Sequence, residues 1–150
     1  MDHIDAGIIR CLTEDARMNA SQISQQVNLS VSAVIERKKK LEASGLIRGY
    51  TALIDERLAG FDVQALIAIR MEHPKYNAEF ARRMRAHENV MECFYITGDV
   101  DYIARISACS TEGLTKALHN IKEIPGVSHT RTYVVLDNIK QGTSVIPRIL

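Results

Sequence analysis

The feature that most constrains this chain is a four-residue turn, Val27-Asn28-Leu29-Ser30, set between two short segments of helical periodicity. Upstream, Ile23 and Val27 fall one turn apart and share an apolar face. Downstream, Ser30 can open a second helix, because its hydroxyl can accept from an unpaired N–H of the first turn. That helix runs through Val34 and Leu41 to Gly45, which can end it by taking a left-handed conformation at low steric cost. Two short helices joined by three or four residues can lay the second helix in a DNA major groove. The residues before the turn then support that helix, and those after it pair or control it.

Net charge is only +1, so the overall balance does not announce a polyanion partner. Its distribution says more. Arg37, Lys38, Lys39, Lys40 and Arg48 lie close together, opposed by Glu36 and Glu42. Such a patch can hold phosphates on a nearly neutral protein; a solvated helix face is the other reading. Val34 and Leu41 share a core face. Lys38 lies between them, where an apolar residue is expected, and is read as packing its stem while its amine stays at the edge. The opposite face carries Ser32, Glu36, Lys39 and Lys40, with Arg37 at its margin and Ser30 at its start. These are the candidate DNA-binding residues, of types that reach bases and phosphates. Glu36 can accept from a cytosine amine or orient Arg37 or Lys40, and the second use is favoured.

The 150 residues allow one ordinary domain or two small ones. With 46% apolar and 25% charged residues, the composition is that of a soluble globular protein. Cys11, Cys93 and Cys109 are far apart with no paired spacing, so reduced thiols in a cytoplasmic protein are expected, each a small core residue. No secretory leader pattern opens the sequence, and no apolar run approaches the roughly 18 residues needed to span a bilayer. His3, His73, His87, His119 and His129 show no metal-ligand spacing, and no nucleophile elbow or phosphate loop appears. An enzyme, a metal and a cofactor are therefore not expected.

In chain order, Ile4, Ile8, Cys11 and Leu12 make one apolar stripe over residues 3–14, with Asp2 as cap. A polar break comes next, and Asn19 with Gln22 forms a capping box for the first helix of the pair. Residues 46–55 are rich in β-formers and read as a connector with strand character. Beyond Gly60 the periods alternate. Val63, Ala65, Ile67, Ile69 and Met71 form a strand; Tyr76, Phe80 and Met84 a helix; 90–97 and 102–109 two strands around a turn at 98–101. Leu114, Ala117, Leu118 and Ile121 form a helix capped by Ser110, and 127–136 the last strand. The expected architecture is α+β: a helix-turn-helix domain at 1–47, a linker with strand character at 48–61, and a ferredoxin-like βαββαβ domain at 62–150. Two helices cover one sheet face. Leu66 and Ala68 place apolar groups on the other, so two copies are expected to pack sheet to sheet.

The chain resembles the Lrp/AsnC (feast/famine) family of transcriptional regulators, closer to its leucine-responsive branch. The resemblance rests on Asp15-Ala16-Arg17, Val27-Asn28-Leu29-Ser30, Glu36-Arg37, Leu41-Glu42, Gly45 and Gly49-Tyr50-Thr51-Ala52. It continues in Gly98-Asp99-Val100-Asp101-Tyr102, Pro125-Gly126-Val127 and Thr130 to Val135, with Lys140-Gln141 beyond. It implies a helix-turn-helix joined to an amino-acid-binding regulatory (RAM) domain, and dimers that assemble to tetramers, octamers or higher. It also implies an effector held between neighbouring dimers near the Gly-Asp turn. Carried over, the effector residues are Tyr95, Thr97, Gly98, Asp99, Asp101 and Tyr102, with Thr130, Thr132 and Tyr133 from the last strand. An amino acid carries an ammonium and a carboxylate, both costly to bury unpaired. Asp99 or Asp101 could meet the first, and N–H groups of the turn the second. An ordinary hairpin turn is the alternative for Gly98-Asp99, and sheet packing the alternative for Tyr102 and Tyr133.

The implied function is a sequence-specific DNA-binding regulator whose assembly, and so DNA engagement, shifts with a leucine-like or other amino acid. An effector-independent architectural regulator is the alternative. A stand-alone ligand sensor acting on a protein partner is disfavoured by the basic helix.

Overall fold

The computed structural model describes residues 1–142 together with 144 and 145. Its backbone contacts divide it into two units, one holding Met1–Leu53 and the other Ile54–Ile139. Of the range expected for the second domain, 143 and 146–150 lie outside the described residues.

The first unit is three helices: α1 (His3–Glu14), α2 (Ala20–Val27) and α3 (Val31–Ala43). Reciprocal capping boxes start the first two. Asp5 N–H donates to Asp2 Oδ1 at 2.8 Å and Asp2 N–H to Asp5 Oδ2 at 3.1 Å, and Asn19 and Gln22 exchange two bonds of 2.9 Å. Asn28 ends α2 in the left-handed region at φ 53, which Asn tolerates better than most residues. Leu29 N–H then donates back to the Ser24 carbonyl, closing the turn. Ile8, Ile9, Cys11 and Leu12 pack with Ile23, Val34 and Leu41 into one core. The expected stripe on α1 thus holds, with Ile9 added to it.

The second unit has β1 (Val63–Met71), α4 (Asn77–Ala86), β2 (Val90–Tyr95), β3 (Tyr102–Ala108), α5 (Thr111–Lys122) and β4 (Val127–Val134). All pairs are antiparallel, in the order β2-β3-β1-β4, the order a ferredoxin-like fold requires. Ala65, Ile67 and Ile69 of β1, with Tyr102, Ala104 and Ile106 of β3, pack under Phe80 and Met84 of α4 and Leu114, Ala117 and Ile121 of α5. The other face is uncovered. Leu66, Phe94 and Tyr133 stand exposed there, with Ala68 and Ile103 in register between them.

The strand character expected over 48–61 is a correction. No strand forms there. Asp55 instead caps a tight turn, accepting from Leu58 N–H at 3.0 Å, and Phe61 N–H closes back on the Glu56 carbonyl. Glu56 fastens that turn to the uncovered sheet face, accepting from Ser107 Oγ at 2.6 Å and Arg105 Nη1 at 2.8 Å. Those two bonds, Ser107 first, hold its carboxyl below the usual range. The cysteines are a second correction. Cys11 is buried, but Cys93 and Cys109 are exposed, since β2 is an edge strand and Cys109 falls just past the end of β3.

Candidate nucleic-acid interface and ligand-binding turn

Helix α3 begins at Ser30, whose Oγ accepts from Ala33 N–H at 3.2 Å and lies 3.1 Å from Ser32 Oγ. Burying Val34 and Leu41 turns Ser32, Glu36, Lys39 and Lys40 outward, all exposed. Glu36 and Lys40 pair at 2.7 Å, and the lysine holds the Glu36 carboxyl below its ordinary range. Of the two uses open to Glu36, the structure shows the orienting one. Both partners are about 70% exposed, at 69% and 73%, so DNA can part them at little cost.

Arg37 is turned away from that face. Its Nη1 donates to Asp2 Oδ2 and to Asp5 Oδ1, each at 2.7 Å, so the guanidinium ties α3 to the start of α1. Those bonds raise the arginine further above its usual range, while the Asp5 N–H first and Arg37 second lower Asp2. Expected at the margin of the DNA-facing residues, Arg37 instead positions the helix. Lys38 behaves as its sequence position implies. It is two-thirds covered, with its amine 4.9 Å from the Tyr50 ring centroid and 3.9 Å from Glu42 Oε1. The Tyr50 hydroxyl donates to Glu42 at 2.8 Å; burial, then Glu42, raises that phenol well above its usual range.

In the second unit, the β2–β3 turn is fixed by Asp101. Its N–H donates to the Ile69 carbonyl and its carbonyl accepts from Ile96 N–H. Its Oδ2 accepts from Met71 N–H at 2.6 Å. Gly98 takes φ +126, which a side chain would resist. With Asp101 engaged in holding β1, exposed Asp99 is the carboxylate of this turn that has no hydrogen-bond or ion-pair partner among the described residues. Tyr102 is buried, its ring 4.5 Å from Phe80 and 5.0 Å from Tyr95, so the packing reading applies to it.

The structure brings Tyr95, Thr97, Gly98, Asp99, Asp101 and Tyr102 to one end of the sheet, and Thr130 to the same end across β1, since Ile69 pairs with both Tyr102 and Thr130, but Thr132 and Tyr133 lie farther along the last strand. β4 lies at the far edge from β2. There Thr130 and Thr132 pair with Ile69 and Ile67 on the helix-covered face, whereas Tyr133 pairs with Leu66 on the opposite one. No single chain gathers all nine.

Sequence reasoning passed over a cavity beside the turn. About 350 Å³ in volume, it lies between α4 and β2, walled by Met84, Arg85, Met91 and Cys93 beside Tyr95 and Tyr102. Although Cys93 is exposed at the sheet edge, partial desolvation of its thiol against that wall pushes it up. The usable signal was the alternation of β2, which sets Cys93 and Tyr95 on the face α4 covers. Among the described residues no three His, Cys, Asp or Glu side chains are grouped to hold a metal ion, and no helix is long and apolar enough to cross a membrane.

Residues 1–42 match the AsnC-type helix-turn-helix domain and residues 64–145 the Lrp/AsnC ligand binding domain. The chain belongs to the Lrp/AsnC family. It is 37% identical over 145 residues to the HTH-type transcriptional regulator FL11 of Pyrococcus abyssi, covering 97% of this chain and 95% of the relative. It is 30% identical over 149 residues to the leucine-responsive regulatory protein of Escherichia coli K12, covering 97% and 91%. Among solved structures, a Neisseria meningitidis transcriptional regulator in complex with L-Met superposes with a TM-score of 0.92 at 28% identity, covering 97% and 96%. A feast or famine regulatory protein of Mycobacterium tuberculosis complexed with L-methionine gives 0.90 at 29%, covering 97% and 99%. This Lrp/AsnC chain is thus a transcriptional regulator with a DNA-binding helix-turn-helix domain and a ligand-binding domain, and its named relatives are regulators rather than enzymes.

Proposed function

We propose that this regulator lays α3 in the major groove, with Ser30, Ser32, Glu36, Lys39 and Lys40 at bases and phosphates and Arg37 holding the helix in place. The observation that carries this is the exposed face of α3, capped at Ser30 and backed by Val34 and Leu41. Two copies pair through the uncovered sheet face and present two such helices to half-sites about 34 Å apart or a multiple of it. Pairs assemble further, to tetramers, octamers or higher, in the cytoplasm. An apolar amino acid binds at the Gly98 to Tyr102 turn between neighbouring pairs, its ammonium on Asp99. Thr132 and Tyr133, which one chain holds apart from the turn, come to it from a neighbouring copy together with Thr130, which within one chain is separated from Tyr102 by β1. The neisserial and mycobacterial relatives bound to L-methionine, and the one named for leucine, support an apolar effector. The ligand acts because one assembly binds it better than another.

The test is a thermal-shift panel of the purified protein against the amino acids, followed by sedimentation and DNA titration with any that bind. A ligand at 100 times its dissociation constant adds about 2.7 kcal/mol. Size distribution and DNA affinity indifferent to every amino acid would leave the effector-independent architectural regulator instead.

A further inference from the structure

The outward face of α3 is not all polar. Val31 and Ile35 stand on it one turn apart, 42% and 43% exposed, although both are aliphatics of the kind a core takes up. The core of this unit uses Val34 and Leu41 instead. Ser32, Glu36 and Lys39 run alongside, so the exposed stripe is Val31-Ser32, Ile35-Glu36 and Lys39. This is the i, i+1, i+4, i+5, i+8 pattern of a helix presenting one side along its N-terminal turns, the part of a recognition helix that meets base edges.

We propose that Val31 and Ile35 read the C5-methyl groups of two thymines, so that the sites this regulator selects carry T at two fixed positions. The proposal rests on the DNA-binding reading above and gives it a sequence preference. In the major groove, thymine alone presents an apolar group; adenine, guanine and cytosine present N6, O6 or N4 to a partner that can hydrogen-bond. An aliphatic side chain pressed against one of those three strips it of water and offers nothing back. Against a methyl, the same contact is favourable. Four residues of helix span about 6 Å, close to two base-pair steps of about 3.4 Å, so the two thymines lie about two steps apart.

Duplexes selected from a random pool by the full-length protein provide the test. Each thymine is replaced singly by deoxyuridine, which removes the methyl and leaves every hydrogen-bonding group in place. Affinity is read by fluorescence anisotropy at fixed salt. Burial of one methyl is worth about 0.8 kcal/mol, so a loss of about fourfold is expected at each of two positions and none at the others. Ile35→Ala should bind deoxyuridine and thymine alike at one of those positions, and Val31→Ala at the other. Both side chains are exposed, so the thermal midpoints should hold. Indifference to deoxyuridine everywhere, or undiminished methyl sensitivity in both variants, overturns the proposal. Failure to select any sequence is a different result: it removes the sequence-specific DNA-binding reading itself, and this inference with it.

Discussion

Ser32, Glu36, Lys39 and Lys40 share a face because one helix repeats every 3.6 residues. Asp101, Tyr102 and Thr130 approach one another only because β1 lies between β3 and β4 and pairs with both. The first site is local, and its parts stay in place as long as α3 is helical and docked. The second is a property of the sheet, and some of its members do not meet within one chain. Substitutions should therefore separate the two. On α3 a side chain can be removed at the cost of its contact, whereas around the turn the same change should take the scaffold with it.

The sharpest test of that contrast is at Gly126, which opens β4. Its φ is +89, and a Cβ there would overlap the ring of Tyr76. Strained backbone and overpacking act together, so Gly126→Ala should destabilise by about 3 kcal/mol or more. Chemical denaturation is the measurement. A loss within experimental error would show that Tyr76 and the β4 start can move apart, and that the turn site tolerates a looser scaffold.

Next in size is Asp101. Removing its side chain leaves Met71 N–H without its acceptor, and Asp101→Ala should cost about 1–3 kcal/mol. Asp101→Asn keeps an acceptor oxygen and should recover much of that. Asp99→Asn should leave stability alone and abolish only the amino-acid response. Were Asp101→Asn fully stable yet unresponsive, with Asp99→Asn still responsive, the ammonium would belong to Asp101.

Within α3 the comparison can be repeated on a smaller scale. Arg37→Ala should lower the thermal midpoint and weaken DNA binding by a factor that hardly changes with salt, since it loosens the helix without removing a phosphate contact. Lys40→Ala should leave the midpoint in place and reduce the slope of log affinity against log salt by about 1. A salt-slope loss for Arg37 equal to that for Lys40 would return Arg37 to the DNA face.

These contrasts also explain what was legible in the sequence. The cap at Asp2, the capping box at Asn19, the turn at Asn28, the α3 core face and the order of strands and helices along the chain all derive from short-range spacing, and the structure has them; the reciprocal bond from Asp5 and the left-handed backbone of Asn28 are what it adds. The packed stem of Lys38 was legible for the same reason; its companion Tyr50 was not, being twelve residues away. Arg37 misled because its partners, Asp2 and Asp5, precede it by more than thirty residues. The strand character of 48–61 misled because β-forming composition makes no strand without a neighbour to pair with, and Glu56 gave the chain a different anchor on Arg105 and Ser107. Tyr133 and Thr132 are adjacent in sequence yet face opposite sides of the sheet, which alternation implies and which a run of motif residues conceals.

The smallest effect expected is in acid, and it tests whether a surface carboxylate matters by where it sits. Glu79 on α4 is held to about 2 by Arg82 first and Arg83 next, and Asp2 is also lowered, by the Asp5 N–H and then Arg37. Both folded values lie below the unfolded ones. Each group therefore contributes stability that is present above its unfolded pKa of about 4 and is lost as pH falls through the folded one. Side-chain carbonyl shifts followed by NMR should show Glu79 still ionised near pH 3. Asp2 differs in consequence, because its protonation releases one arm of the clamp on α3 while that of Glu79 touches α4 alone. As pH falls below the ordinary aspartate range of about 4, DNA affinity should fall in the parent protein and in Glu79→Gln alike. Asp2→Asn can still cap α1 but carries no charge for Arg37. It should start weaker and show a shallower fall, and an unchanged acid profile in that variant would mean that Asp5 alone holds Arg37.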